Sequence, residues 1–208
     1  GETANRLLDR VRGDVEAIEL PSSYHFEWDG QEGTSTEAID SLIGVVPLGV
    51  IGMVLVVIVL FNAVRQPVII FMIVPLAIIG VTIGLLITGI AMEFIAILGV
   101  LSLSGLLIKN AIVLVDQMDI EIGEGKPRFD AIIEAAYDRA RPVILSSLTT
   151  VLGVIPLLFD AFFKAMAVVL AFGLAFGTVL TLFVVPVLYA IFFKIGPDET
   201  AAEPQGAS

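Results

Sequence analysis

Cysteine is absent from this chain of 208 residues, and histidine occurs only once, at His25. The first absence excludes a disulfide framework and thiolate chemistry, and the second excludes a metal site built on several histidines. The phosphate-binding G-x-x-x-x-G-K-[ST] motif, the zinc-protease H-E-x-x-H motif and the nucleophile elbow are also missing. The sequence therefore does not indicate an enzyme, and an ATP-driven mechanism would need another chain. Lysine and arginine number 11 against 22 acids, which does not support a nucleic-acid-binding face.

Charged residues are few in this chain, and apolar residues are abundant. Charged residues make up 16% of the chain and hydrophobic residues 57%, with a mean hydropathy of +0.99, whereas a soluble domain has roughly 25% charged residues. A helix needs about 20 apolar residues to cross a bilayer. Five blocks come close to that length or exceed it, at about 42–61, 67–88, 94–115, 142–159 and 166–193. The sequence therefore predicts an all-α bundle of five transmembrane helices in a lipid bilayer.

Residues 1–41 are polar and predict a different structure. Their pattern favours an amphipathic helix over 3–20, a short strand over 24–28 and a polar connector over 31–41. So few apolar groups make a poor independent domain. Because the chain also begins at Gly1 without a methionine, we expect a segment of a longer polypeptide. The predicted regions are 1–41, the five-helix region 42–194 and a disordered tail at 195–208.

The basic residues predict the orientation of the helices, because cytoplasmic loops of membrane proteins carry an excess of lysine and arginine. Connections on one side of the predicted bundle hold Arg65, Lys126, Arg128, Arg139, Arg141 and Lys194. The two short loops on the other side hold only Lys164. We therefore expect a cytoplasmic C-terminus and an N-terminus on the outer face. Residues 117–141 predict a helix on the cytoplasmic surface, broken early by Gly123 and Gly125.

The predicted third span contains a lysine, Lys109, and a charged side chain is unusual within a membrane-spanning helix. A cation in hydrocarbon costs from about 3 to more than 10 kcal/mol, depending on the method. Helical spacing puts Ser102, Lys109 and Asp116 on one stripe. Lys109 could extend its ammonium to the interface, or it could pair with a carboxylate whose protonation would release it. No acid lies within a predicted span, so a paired Lys109 needs a partner from another segment.

Two further polar groups lie in or near the fourth span. Its hydroxyl residues, of which Ser146 shares a face with Thr150, either join helices or line a path for water and protons. Arg139 stands just before the span, either as a positive anchor or as a charge at the cytoplasmic mouth. Two G-x-x-x-G pairs, Gly80 with Gly84 and Gly173 with Gly177, favour helix packing over a ligand role.

Several of these stretches resemble one family of transporters. G-L-L-I-K-N-A-I-V-L-V-D at 105–116 is similar to the tenth transmembrane helix of resistance-nodulation-division efflux transporters of the hydrophobe/amphiphile branch. R-A-R-P-V-I-L-S-S-L-T-T-V-L-G-V-I-P-L at 139–157 is similar to the eleventh helix, and F-V-V-P-V-L-Y at 183–189 to the end of the twelfth. Y-H-F-E-W-D-G at 24–30 is similar to the last strand of a periplasmic α+β porter subdomain. The resemblance covers about residues 1–195.

The resemblance implies the C-terminal part of a proton-driven multidrug antiporter of the bacterial inner membrane. In this family the residue matched by Lys109 pairs with two aspartates of the fourth helix, Asn110 is its neighbour, Ser146 takes a position that is often threonine, and Arg139 is a functional arginine. Those aspartates belong to an N-terminal half that this sequence lacks. The resemblance further implies a homotrimer, a periplasmic adaptor, an outer-membrane channel, and no cofactor or metal, with protons as the coupling ion. Such a segment would be inactive alone. The alternative is a non-transporting helical module that anchors or assembles other proteins.

Overall fold

The computed structural model describes residue 11, residues 13–15, residues 17–18 and residues 31–196. Residue 11 and residues 13–15 are helical, within the amphipathic helix predicted over 3–20. The strand predicted over 24–28 and all but the first two residues of the predicted tail lie outside the described residues. Contacts divide the chain into two units, residues 1–50 and residues 51–208.

Residues 31–196 form six α-helices and one 3₁₀ turn, and the described residues contain no strand. The elements are α1 (Gln31–Phe61), α2 (Arg65–Phe71), α3 (Ile73–Thr88), α4 (Phe94–Gly123), α5 (Arg128–Val154), the 3₁₀ turn (Ile155–Phe159) and α6 (Lys164–Phe193). Five helical segments are long and apolar enough to cross a membrane, because α2 with α3 and α5 with the 3₁₀ turn each form one such segment. The prediction of an all-α membrane bundle is confirmed.

Two predicted connections differ from the structure. The stretch 31–41 is helical, since α1 begins at Gln31. The separate surface helix predicted over 117–141 is wrong: α4 continues to Gly123, and α5 begins at Arg128 and runs through Pro142. The chain reverses in the four residues between these helices, where Gly125 has a φ of 87°. The first half of the predicted surface helix therefore extends α4, and the second half begins α5.

The helix α6 lies at the centre of the second unit. It packs against α3, α4 and α5, and 50% of its most apolar window is buried. The corresponding share of the segment formed by α5 and the 3₁₀ turn is only 11%. A broad side of α5 is therefore open, although the helix is apolar enough to lie in lipid or against another protein.

Small residues let the helices approach closely, as the G-x-x-x-G pairs predict. A Cβ atom added at Gly80 would lie 2.5 Å from Cβ of Phe176, and one at Gly84 would lie 2.6 Å from Cβ of Phe172. In the same way, Gly177 meets the Leu107 side chain. The prediction that these glycines form packing faces is confirmed.

Three helix ends meet at one end of the unit. The guanidinium of Arg65, at the start of α2, lies 5.7 Å from the ring centroid of Phe193, at the end of α6, and both ends lie beside the last turns of α4. The turn between α4 and α5 adds Lys126 and Arg128. We call this the basic end, because Arg65, Lys126, Arg128 and Lys194 all fall there.

Candidate functional site

Lys109 lies on an open stripe of α4. The stripe consists of Ser102, Gly105, Lys109 and Asp116, all of which are exposed. A Cβ atom added at Gly105 would meet nothing within 4 Å. The opposite face of α4 is buried against its neighbours and includes Leu103, Leu107, Ala111, Leu114 and Met118. The predicted stripe therefore exists, and within the described residues it faces away from the packed core.

The described acids do not form an ion pair with Lys109. Within residues 38–196, the ion pairs within 4.0 Å are those of Lys126 with Glu121 and with Glu134. The nearest acid along α4 in the C-terminal direction is Asp116, seven residues away, which is roughly 10 Å along a helix axis. The stripe thus presents a cation at the middle of a membrane-crossing helix with no described carboxylate beside it.

The structure does not bring Asn110 onto the open stripe. Its exposed fraction is 8%, while its neighbour Lys109 is exposed. Successive helical residues are rotated by about 100°, so the amide lies on the packed face while the lysine lies on the open one. Asn110 and Lys109 are adjacent in sequence but lie on different faces of α4.

Arg139 lies half-buried between α4 and α5 and is held by an amide. Its Nε and Nη2 atoms donate to Oε1 of Gln117 at 3.0 and 2.5 Å. Gln117 in turn donates from Nε2 to Oε1 of Glu121 at 2.7 Å. Lys126 pairs with Oε2 of Glu121 and lies 2.9 Å from a carboxylate oxygen of Glu134. We call these five residues the α4–α5 network.

The network also changes the electrostatics of Lys126. The hydrogen bond to the Glu121 side chain, followed by the bond to Glu134, raises the pKa of the Lys126 ammonium above its usual value. Glu121 itself is only 5% exposed. A buried acid needs a partner, and here the ammonium of the turn and the amide of Gln117 supply it.

The hydroxyl residues of α5 divide into two groups. Ser147 is buried and accepts a hydrogen bond from Oγ1 of Thr178 at 2.7 Å, which confirms that part of the row joins helices. Thr149 and Thr150 donate to carbonyls of their own helix. Ser146 is exposed, so its hydroxyl lies on the open side of α5.

The register of α4 and α5 places Ser146 at the depth of Lys109. The two helices are consecutive and antiparallel, and the Arg139–Gln117 bond fixes their register. Ser146 lies seven residues after Arg139, and Lys109 lies eight residues before Gln117. At 1.5 Å per residue, both are roughly 10–12 Å from that bond. The predicted site residues therefore lie at two depths along the helix axes. Lys109 and Ser146 lie at one depth, and Arg139 lies at the other.

A second polar cluster, which the sequence does not predict, lies at the basic end. Asp119 in α4 accepts hydrogen bonds from the Tyr189 hydroxyl in α6 and from Nε2 of Gln66 in α2, the latter at 3.3 Å. The ring of Tyr189 stacks on Phe193 with centroids 4.4 Å apart. The sequence predicts a surface helix over 117–141, so it does not predict a half-buried Asp119 in contact with two other helices. The available signal was a tyrosine near the end of the last span, where membrane helices place amphipathic rings.

Comparison with known proteins decides the family. The sequence profile of the AcrB/AcrD/AcrF family matches residues 4–193. The chain belongs to the AcrB/AcrD/AcrF family. This agrees with the resemblance to resistance-nodulation-division efflux transporters, and with five apolar helices it makes the chain a multi-pass membrane protein.

Solved structures of a heavy metal efflux pump are similar to the chain in two crystal forms. The two matches have TM-scores of 0.74 and 0.70, sequence identities of 27% and 25%, and cover 93% and 92% of this chain. The chain spans 20% of the length of each pump chain. The family is thus established for a segment one fifth as long as these relatives, and the hydrophobe/amphiphile branch stays a prediction.

Proposed function

We propose that the chain is the C-terminal five-helix part of a proton-driven efflux antiporter and supplies the lysine of its proton site. The observation that carries this proposal is the open stripe of α4. Lys109 lies on it at the middle of a membrane-crossing helix, while the opposite face is packed. A cation at that depth is stable only when it is paired or hydrated. The pump family of the chain supports a partner helix at this face.

The partner in this proposal is an N-terminal half that places one or more carboxylates against the open stripe. An ionised carboxylate holds the Lys109 ammonium, and protonation removes one charge of the pair and frees the lysine to move. Alternation between the two states couples proton entry to a change in helix packing. Ser146 offers a hydroxyl at the same depth, and Arg139 places a cation two turns nearer the basic end. The proton is the coupling ion, and no cofactor is required.

The basic residues support an inner-membrane orientation with the basic end in the cytoplasm. In this arrangement the N-terminus is periplasmic and adjoins the porter region that captures substrate. The complete assembly is a homotrimer joined to a periplasmic adaptor and an outer-membrane channel. These partners are inferred from family resemblance.

Two substrate classes follow from different observations. The motifs at 105–116 and 139–157 favour amphiphilic drugs, whereas the similar solved structures are of a heavy metal efflux pump. A resistance panel distinguishes the two, with amphiphilic dyes and detergents in one arm and soft and divalent metal ions in the other. Protection in the first arm alone assigns the drug class, and protection in the second alone assigns metal ions.

The proton-site proposal is tested by expressing the chain together with the N-terminal part of its pump and replacing Lys109 with alanine. We expect Lys109→Ala to abolish proton-dependent efflux, because the carboxylates lose their cation. Lys164→Ala is the matched control, since Lys164 is exposed at the other end of the bundle. Efflux that survives Lys109→Ala would refute the proton role. Absence of any efflux with the unmodified chain would favour the anchoring module.

A further inference from the structure

Arg139 is held by a side chain that carries no charge. The Oε1 atom of Gln117 accepts hydrogen bonds from both Nε and Nη2 of Arg139. We propose that Gln117 is a positioning residue that sets the orientation of the Arg139 guanidinium, which stays charged and presents its remaining N–H groups to the proton pathway. This inference rests on the proposed function, because it assigns a role within the same proton pathway.

The two hydrogen bonds fix the orientation of the Arg139 guanidinium as well as its distance from Gln117. The guanidinium is planar and carries five N–H groups in a rigid fork. Since Nε and Nη2 both bond to one oxygen, the side chain cannot rotate about its last bonds without breaking at least one of them. The three remaining N–H groups therefore keep a defined orientation. A single contact would leave that orientation free.

The amide of Gln117 is itself oriented from the turn between α4 and α5. Its Nε2 donates to Oε1 of Glu121 at 2.7 Å, and Glu121 is paired through its other oxygen with Lys126. A rotated amide would place its oxygen against a carboxylate oxygen, which is repulsive. The chain of contacts from Lys126 through Glu121 to Gln117 thus presents the amide oxygen, and not the nitrogen, to Arg139.

The residue type at position 117 follows from these contacts. A glutamine can donate to Glu121 and accept from Arg139 at once, whereas leucine can do neither and glutamate would oppose the Glu121 carboxylate. The charged groups of this network come from α4, the turn and α5, namely Glu121, Lys126 and Glu134. The third helix packed on both, α6, carries no charged residue after Lys164 up to Phe193. Gln117 is therefore the contact that decides how Arg139 is held.

The test measures the pH profile of proton flux in proteoliposomes that contain the complete pump. We expect Gln117→Leu to change this profile to that of Arg139→Ala and to lower the rate at least about fivefold. The exchange variant Gln117→Glu with Glu121→Gln restores an acceptor toward Arg139 and a donor toward position 117. It should recover the wild-type profile and a rate within about twofold of it.

Gln66→Leu is the matched control. Gln66 is a buried glutamine at the basic end, and its amide bonds to Asp119 and not to Arg139. We expect it to keep the wild-type pH profile even if it lowers the thermal stability of the pump. If Gln117→Leu is too unstable to purify, the exchange variant is the test. Loss of the wild-type pH profile in the exchange variant also overturns the proposal.

Failure of the proposed function and failure of the positioning role of Gln117 give different results. Unchanged flux in both Lys109→Ala and Arg139→Ala would overturn the proposed function itself. If Lys109→Ala is inactive but Gln117→Leu keeps the wild-type profile, only the positioning role of Gln117 is lost. The same holds if Arg139→Ala keeps that profile, or if Gln66→Leu changes it as Gln117→Leu does.

Discussion

The phenolic hydroxyl of Tyr189 donates a hydrogen bond to Oδ1 of Asp119, which precedes it by 70 residues. The other carboxylate oxygen accepts from Gln66. One acid therefore joins α2, α4 and α6 at the basic end. Asp119 is half-buried, and a carboxylate that is partly removed from water is stabilised by such donors.

This contact predicts that Tyr189→Phe is destabilising although it keeps the ring. Hydrogen bonds to charged groups contribute about 1.5–3 kcal/mol in general, so we expect a fall in the melting temperature of the detergent-purified protein of several degrees. The stack on Phe193 is retained in the variant, which isolates the hydroxyl. Tyr137→Phe is the control, because Tyr137 is 82% exposed. Equal melting temperatures for the two variants would contradict a role for the Asp119 contact.

The hydroxyl pair of Thr178 and Ser147 predicts a second stability effect. Both side chains are buried and lie 2.7 Å apart across α6 and α5. Interhelical hydrogen bonds in membrane proteins contribute about 0.6 kcal/mol on average and up to about 1.7. We expect Thr178→Val to lower the free energy of unfolding within that range, and Thr149→Val, which loses only a bond to its own helix, to have a smaller effect. If Thr149→Val lowers the free energy of unfolding more than Thr178→Val does, the bond between Thr178 and Ser147 does not stabilise the contact of the two helices.

The apolar blocks predicted the five spans because crossing a bilayer imposes a length and a composition that can be read directly from sequence. The same is true of the glycine faces, since a small residue at every fourth position is needed for close approach. The open stripe of Lys109 also followed from helical spacing. These features depend on local patterns within one helix.

The features that were missed depend on contacts between distant residues. The helical period gives no sign that Asp119 meets Tyr189 or that Gln117 holds Arg139, because such pairs are fixed only when the helices pack. The same contacts explain the wrong boundary at 117–141. Polar residues there looked like a surface helix, but Glu121 is buried and paired within an extension of α4.

Close packing of α3 against α6 predicts that Gly80→Ala is destabilising. The added methyl group would lie 2.5 Å from Cβ of Phe176, an atom near the backbone that cannot move independently of its helix. Overpacking of this kind costs about 1–3 kcal/mol. Gly52→Ala is the control, since a Cβ atom there meets nothing within 4 Å. Thermal unfolding of both variants measures the difference, and an unchanged Gly80→Ala would show that the two helices separate easily.

The ion pairs of Lys126 predict an alkaline loss of stability. Its pKa is raised in the folded state by Glu121 and Glu134, so folding favours the charged form. The contribution is therefore complete below the unfolded-state pKa of about 10.4 and is lost as the pH rises through the folded-state pKa. We expect Lys126→Met to lower the melting temperature equally at pH 7 and pH 9, and by less above about pH 11. A difference that widens at high pH would contradict these pairs.

The orientation of the helices can be tested directly because the chain has no native cysteine. Gly125 is a poor labelling position, since its φ of 87° strains any other residue. Glu124 beside it is exposed and is better suited. If the basic end is cytoplasmic, Glu124→Cys in intact cells resists a membrane-impermeant maleimide, whereas Ala91→Cys, exposed in the opposite loop, reacts. Both react after the membrane is permeabilised. Labelling of Glu124→Cys alone in intact cells would reverse the topology and place the Arg139 level on the outer side, where it could not serve proton release to the cytoplasm.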